Sequence, residues 1–94
     1  MAGAVYVDPE RLADFAAALT SFARRTDRDA DLLIEELGRL SRTWQDESYE
    51  EFQVHVRKLT EVLLSFVEEA DGFSAHLNVK ADQARQIHRG EIPS

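Results

Sequence analysis

The stretch "TWQDESYEEF", Thr43 to Phe52, decides the fold, because it places the only tryptophan of the chain in a polar patch between two long segments of helical periodicity. Asp46 is suited to cap a helix N-terminus, and the acidic residues after it suit the positive end of a helix dipole. The chain is therefore expected to turn here, over residues 43–46. Trp44 follows Leu40 by four residues, so we expect its ring to cover the open end of a seam between two helices.

The first helix is predicted from about residue 9 to 42. Asp8 and Pro9 form a typical helix start, with a capping oxygen followed by a proline in the first turn. Apolar residues then recur at spacings of three and four, which places them on one face of the helix. We expect this face to form one side of the seam through Leu12, Phe15, Leu19, Phe22, Leu33, Leu37 and Leu40.

The second helix is predicted from about residue 46 to 88, followed by a tail over residues 89–94. Its nearly unbroken heptad pattern is typical of coiled-coil packing. Folded back antiparallel, this helix is longer than the first, so residues 80–88 are expected to extend beyond it as an overhang. Its side of the seam is expected to consist of Leu59, Leu63, Phe66, Phe73 and Leu77.

The predicted fold class is therefore all-α, a single antiparallel helical hairpin. With 94 residues the chain can bury only part of its apolar surface, so a second chain would add substantially to the core. The apolar face of each helix is also wider than a single helix–helix seam requires. We expect pairing into a dimeric four-helix bundle, and the candidate dimer surface consists of Leu32, Ile34, Val62 and Val67.

Charge and composition disfavour several classes of function. Eleven Lys and Arg residues against eighteen Asp and Glu residues give a net charge of −7, which repels nucleic acid and anionic lipid. The first residues have neither the positive nor the apolar region of a conventional signal peptide, and no apolar run approaches the length of a membrane span. Cysteine is absent, which excludes disulfides and thiolate chemistry. We expect neither nucleic-acid binding nor membrane insertion.

No catalytic, metal or cofactor site is predicted. His55 and His76 lie roughly 30 Å apart along one helix and cannot share a ligand. The run "DRDAD" imitates the start of a calcium loop, but its sixth position is Leu32 and its twelfth is Gly38, where such a loop needs glycine and glutamate. Adjacent glutamates on a helix diverge by about 100° and form no close carboxylate pair. The sequence is expected not to encode an enzyme.

Trp44, Asp46 and Phe52, set at a bend between two long helices, resemble the WXG family of small type VII secretion proteins, the early-secreted-antigen-like group. The resemblance covers nearly the whole chain, with Asp46 standing where the family has glycine. It implies a hairpin that pairs with itself or with a sister protein, and that is exported in the folded state by an ATPase-driven apparatus. It also implies that the protein has no enzymatic activity of its own.

The export signal implied by this resemblance, a tyrosine followed four residues later by an acid, is missing: no tyrosine follows Tyr49, and Gln53 occupies the fourth position after it. Two interpretations remain open. Either a partner chain supplies the signal, and the protein is made in the cytoplasm and secreted without a conventional signal peptide. Or the protein is an intracellular coiled-coil adaptor or chaperone-like protein that is not exported.

Overall fold

A computed structural model describes residues 7–88 and contains two helices, α1 (Pro9–Leu40) and α2 (Glu47–His88). Arg24 near the middle of α1 contacts Asp71 on α2, and Tyr49 at the start of α2 contacts Leu37 at the end of α1. The helices are therefore antiparallel, and the prediction of an all-α hairpin is confirmed. The residues before position 7 and the predicted tail, residues 89–94, lie outside the described residues.

The local signals at the helix starts act as the sequence predicts. An Asp8 side-chain oxygen accepts hydrogen bonds from the backbone N–H groups of Glu10 at 3.0 Å and Arg11 at 3.4 Å. α1 ends at Leu40, two residues earlier than predicted, because the amide of Arg42 bonds to the carbonyl of residue 39 and tightens the chain into a turn.

The two helices pack along small side chains. Alanines recur every seven residues on α1 and are buried there, with Ala23 at 0% exposure. The Ser74 hydroxyl donates a hydrogen bond to the backbone carbonyl of Ala16 at 3.2 Å, which is possible only where the backbones approach closely. We call this contact the alanine seam; it consists of Ala16, Ala23, Ala30 and Leu37 from α1 and of Thr60, Val67, Ala70 and Ser74 from α2.

The alanine seam differs from the predicted seam. Leu37 is buried as expected, and Leu12, Leu19, Leu63 and Leu77 lie half-buried beside it. The prediction is wrong for Phe15, Leu59 and Phe73, which the hairpin leaves more than half exposed. Four further residues of the predicted seam lie at its edge with exposures of 37% to 47%, and two of them meet ring to ring across the helices: Phe22, Leu33, Leu40 and Phe66. Small side chains allow a closer approach of two backbones than rings or leucines do, so the helices turn their alanine columns toward each other.

Polar contacts set the register between the helices. Within the seam, the Thr20 hydroxyl donates to the Ser74 hydroxyl at 3.0 Å. Near the free ends, the Arg85 guanidinium donates to a Glu10 carboxylate oxygen at 3.3 Å. Ala81 on the same segment of α2 is completely buried. Residues 80–88 therefore do not form the predicted overhang, because α2 remains tied to the first turn of α1.

The hairpin is long and narrow, with extents of 67 × 23 × 21 Å and a radius of gyration of 20.9 Å. A compact domain of this length has a radius of gyration of about 12 Å. Among the described residues, no large side chain is fully buried. The hairpin is thus a thin two-helix layer, and one chain alone lacks a core that encloses its large apolar groups.

Candidate functional site

One side of the hairpin carries most of the rings that the alanine seam leaves out. Phe15 and Phe22 lie about 100° around α1 from the seam alanines. The Phe22 ring meets the Phe66 ring of α2 edge to face, with centroids 5.7 Å apart. Phe15 lies seven residues before Phe22, and Phe73 lies seven residues after Phe66. Because the helices are antiparallel, Phe15 and Phe73 are at the same level along the hairpin, and each is 61% exposed.

This surface extends to the bend. A shallow groove of about 160 Å³ lies between the helices there, lined by Leu33, Glu36, Leu37, Leu40, Phe52 and Val56. Its size suits one large apolar side chain of a partner. The whole surface is the phenylalanine face, which we define as Phe15, Phe22, Leu33, Leu40, Phe52, Leu59, Phe66 and Phe73.

The opposite side of the hairpin carries polar contacts between its own two helices. Arg24 lies about 100° around α1 from Ala23 in the direction away from Phe22. Its guanidinium donates to the Asp71 carboxylate at 2.6 Å, and the Thr20–Ser74 hydrogen bond lies on the same side. The hairpin therefore has one side with internal polar contacts and one with unpartnered apolar groups.

The candidate dimer-surface residues divide between these regions. Leu32 and Val62 are 55% and 65% exposed and border the phenylalanine face on α1 and α2. Ile34 is half-buried, on the opposite side of α1. The prediction is wrong for Val67, which is 6% exposed and packs with Ala23 in the alanine seam. Val67 belongs to the seam because it lies seven residues from Thr60 and from Ser74, and all three share one face of α2.

The three residues of the predicted turn motif come together at the bend. The Trp44 ring is half-buried and packs against Phe52, with ring centroids 5.3 Å apart, and against Tyr49, with centroids 5.7 Å apart. The Trp44 indole N–H donates to an Asp46 carboxylate oxygen at 2.8 Å. Trp44 therefore covers the end of the hairpin and packs against Phe52, the residue of the phenylalanine face that lies nearest the bend.

A single oxygen of Asp46 organises this bend. It accepts hydrogen bonds from the Trp44 indole, from the Ser48 amide at 3.0 Å and hydroxyl at 2.5 Å, and from the Tyr49 amide at 3.3 Å. The Ser48 hydroxyl, followed by the indole, lowers the pKa of the Asp46 carboxyl from its usual 3.8. Asp46 thus caps α2 and orients the tryptophan at once, which glycine in this position could not do.

Sequence reasoning missed two members of the bend, Ser48 and Tyr49. The Tyr49 hydroxyl donates to the backbone carbonyl of Leu37 at 3.2 Å and so joins the start of α2 to the last turn of α1. The position of Ser48 in the first turn of α2 is a weak signal, since serine is favoured at helix starts. Tyr49 carries no comparable signal, because its acceptor is a backbone carbonyl of the other helix.

Neither a metal-binding cluster nor a membrane-spanning helix is found in the described part of the chain. Across residues 7–88, no three or more histidine, aspartate or glutamate side chains are arranged to hold a metal ion. Neither α1 nor α2 combines the length and the apolar character needed to cross a membrane.

Comparison with known proteins identifies no relative: no model of a protein family, no curated protein and no solved structure matches the chain significantly.

Proposed function

We propose that the protein is a non-enzymatic interaction hairpin that pairs through its phenylalanine face into a four-helix bundle, as a type VII-type secretion substrate or secretion partner. The observation that carries this proposal is the phenylalanine face itself. Apolar side chains at heptad spacing line one side of both helices, with exposures of 37% to 61%. An exposed apolar surface of this length is characteristic of a protein–protein interface.

The surface area of the single chain supports association. The hairpin exposes 7264 Å², whereas a compact protein of its mass exposes about 5,500 Å². The difference of roughly 1,800 Å² is of the order that one partner contributes to a large, stable interface. Packing a second two-helix layer on the phenylalanine face would remove surface of this order and produce the four-helix architecture.

The residues at the bend support a role in secretion because they resemble the WXG family. Trp44 contacts both Asp46 and Phe52 at the end of the hairpin, and the spacing of the three residues resembles the WXG family. In this proposal the partner is the chain itself or a sister protein, and a secretion ATPase exports the folded assembly.

A cell-based experiment tests whether the phenylalanine face mediates assembly. Phe22→Glu places a charge on the face, while Val79→Glu places the same charge at an exposed apolar site elsewhere on α2. We expect size-exclusion chromatography of native lysate to show the wild-type chain and the Val79 variant in an assembly, and the Phe22 variant as a single chain. An assembly that survives Phe22→Glu unchanged would contradict the proposal.

Export is tested separately, since the alternative function uses the same hairpin. The lack of any tyrosine after Tyr49 favours an intracellular coiled-coil adaptor or chaperone-like protein. The secretion proposal predicts the protein in culture supernatant, and its loss from supernatant when the secretion ATPase is deleted. Retention in the cell in both strains, with the assembly intact, supports the adaptor.

A further inference from the structure

The residues of the phenylalanine face on α1 are matched in size to residues of α2 at the same level along the hairpin. Ala23 packs against Val67 and Ala70, so position 23 is level with positions 67–70. Counting outward from this level in opposite directions places large residues opposite large ones near the ends, and each central phenylalanine opposite a small residue: Phe15 and Leu77, Phe22 and Ala70, Thr26 and Phe66, Leu33 and Leu59, Leu40 and Phe52.

A column of half-buried residues separates the alanine seam from the phenylalanine face on each helix. Because it lies between the two, this column stays at the helix–helix contact if each helix turns about its axis by about 50°, half the angle between adjacent residues. The turn requires no sliding of one helix along the other, because the levels already match. The column consists of Leu12, Leu19 and Thr26 on α1 and of Val56, Leu63 and Leu77 on α2.

Turning the helices in opposite senses exchanges one seam for the other. The alanines move out of the contact, and the rings of the phenylalanine face move in. Phe22 and Phe66 already touch edge to face at the border of the alanine seam, with centroids 5.7 Å apart. Phe15 and Phe73, each 61% exposed beside the alanine seam, gain the most burial.

Polar groups oppose this turn. The Arg24–Asp71 ion pair and the Thr20–Ser74 hydrogen bond lie on the side of the hairpin that moves away from the contact, so the turn breaks them. The ion pair is half exposed and contributes little in water. The two arrangements therefore exchange polar contacts for apolar burial.

Two carboxylates limit how stable the turned arrangement becomes. The column that holds Phe15 and Phe22 continues toward the bend as Asp29 and Glu36, and the turn brings both toward the helix–helix contact, where loss of water is costly. The balance between the arrangements consequently depends on whether another surface covers the phenylalanine face.

We infer that α1 and α2 turn between an open arrangement, in which the alanine seam forms and the phenylalanine face is presented, and a closed arrangement, in which the hairpin without a partner packs that face between its own helices. A partner that covers the face binds only the open arrangement and shifts the population toward it. This inference rests on the proposed function, since it assumes that a partner covers the face. The closed arrangement is an autoinhibitory contact, because it withdraws the apolar surface until a partner is present.

The composition of the chain suits a direct test. The chain contains no cysteine, so one engineered disulfide can lock the open arrangement. Ala16→Cys/Ser74→Cys joins two positions of the alanine seam, where the Ser74 hydroxyl reaches the Ala16 carbonyl at 3.2 Å. A second lock, Ala23→Cys/Ala70→Cys, uses the packing of Ala23 on Ala70. The closed arrangement separates both pairs of positions.

Fluorine NMR of protein labelled with fluorophenylalanine reports on the phenylalanine face alone, because all five phenylalanines of the chain belong to that face. A gadolinium chelate in the solvent broadens the resonances of exposed rings. The variants Phe15→Leu and Phe73→Leu assign two of the resonances. Sedimentation equilibrium identifies a concentration at which the chain is single, and circular dichroism verifies that each lock retains wild-type helicity.

At that concentration we expect the chelate to broaden the Phe15 and Phe73 resonances about twofold or more in the oxidised locks relative to wild type, because the open arrangement leaves these rings 61% exposed and the closed arrangement packs them between the helices. Reduction of the disulfide should restore the wild-type broadening. Wild type treated with the same reductant is the control and should not change.

Equal broadening in wild type and in the oxidised locks overturns the inference, because the single hairpin then holds the open arrangement without a partner. Failure of both disulfides to form under oxidising conditions overturns it as well, because the alanine positions then do not meet. Either result leaves the proposed function in place. The proposed function fails by a different result, which is a native assembly that persists with Phe22→Glu.

Discussion

Replacing Ala23 by leucine is expected to destabilise the hairpin, although leucine is the more apolar residue and the better seam residue by sequence pattern. Ala23 is 0% exposed and packs against Val67 and Ala70. Three additional carbons at this position must push the helices apart, and overpacking of this kind costs about 1–3 kcal/mol. For a domain of this size each kcal/mol lowers the thermal midpoint by roughly 4–8 °C, so a decrease on the order of 5–20 °C follows.

The control for this substitution is Ala17→Leu, six residues earlier in the same helix and exposed. It adds the same side chain in the same helix, and its effect on the free energy of unfolding should stay within about 0.5 kcal/mol. Thermal unfolding followed by circular dichroism at 222 nm, at equal protein concentrations, compares the two variants. A thermal midpoint for Ala23→Leu equal to or above wild type would refute the close-packed alanine seam and restore the seam of large residues.

Three further substitutions probe the polar contacts. Asp46→Asn should destabilise the protein at neutral pH. Because the folded-state pKa of Asp46 is lowered from 3.8, the stabilisation that the carboxylate contributes is present above that value and is lost as pH falls through the folded pKa. Unfolding midpoints of the variant and of wild type, measured as a function of pH, should therefore converge in acid. Ser74→Ala should cost about 1 kcal/mol in urea unfolding, because it removes the hydrogen bonds that the buried Ser74 hydroxyl forms with Thr20 and with the carbonyl of Ala16. Asp71→Asn should cost under about 1 kcal/mol, in low salt only, because its ion pair with Arg24 is half exposed.

The sequence predicts the hairpin because its signals are local. Asp8 with Pro9 starts α1, and Asp46 caps α2, through oxygen atoms that bond to amides two or three residues away. Such contacts form between residues that are close in sequence, so they do not depend on the rest of the fold. The same locality explains the correct grouping of Trp44, Asp46 and Phe52, which lie within nine residues of each other.

The rotation of each helix about its axis is not local, and there sequence reasoning failed. Apolar residues cover more than 100° of α1, from the column of Ala16 to the column of Phe15. Periodicity identifies this width but does not say which column faces α2. The heptad pattern favours the column with the largest side chains as the seam, whereas the helices meet at the column with the smallest side chains. The repeat of Ala16, Ala23 and Ala30 every seven residues was the available signal for the alanine seam.

The division into a seam of small residues and a face of large ones links the stability of the chain to its association. Alanine contacts bury little apolar area, so they align the two helices without using most of the hydrophobic free energy that the sequence carries. Full burial of a phenylalanine contributes about 1.5–3 kcal/mol, and Phe15 and Phe73 retain 61% of their exposure in the single chain. Most of that contribution is therefore not used in the single chain. Because a ligand that binds only the folded chain raises its stability by mass action, the proposed partner would stabilise the hairpin by covering the phenylalanine face.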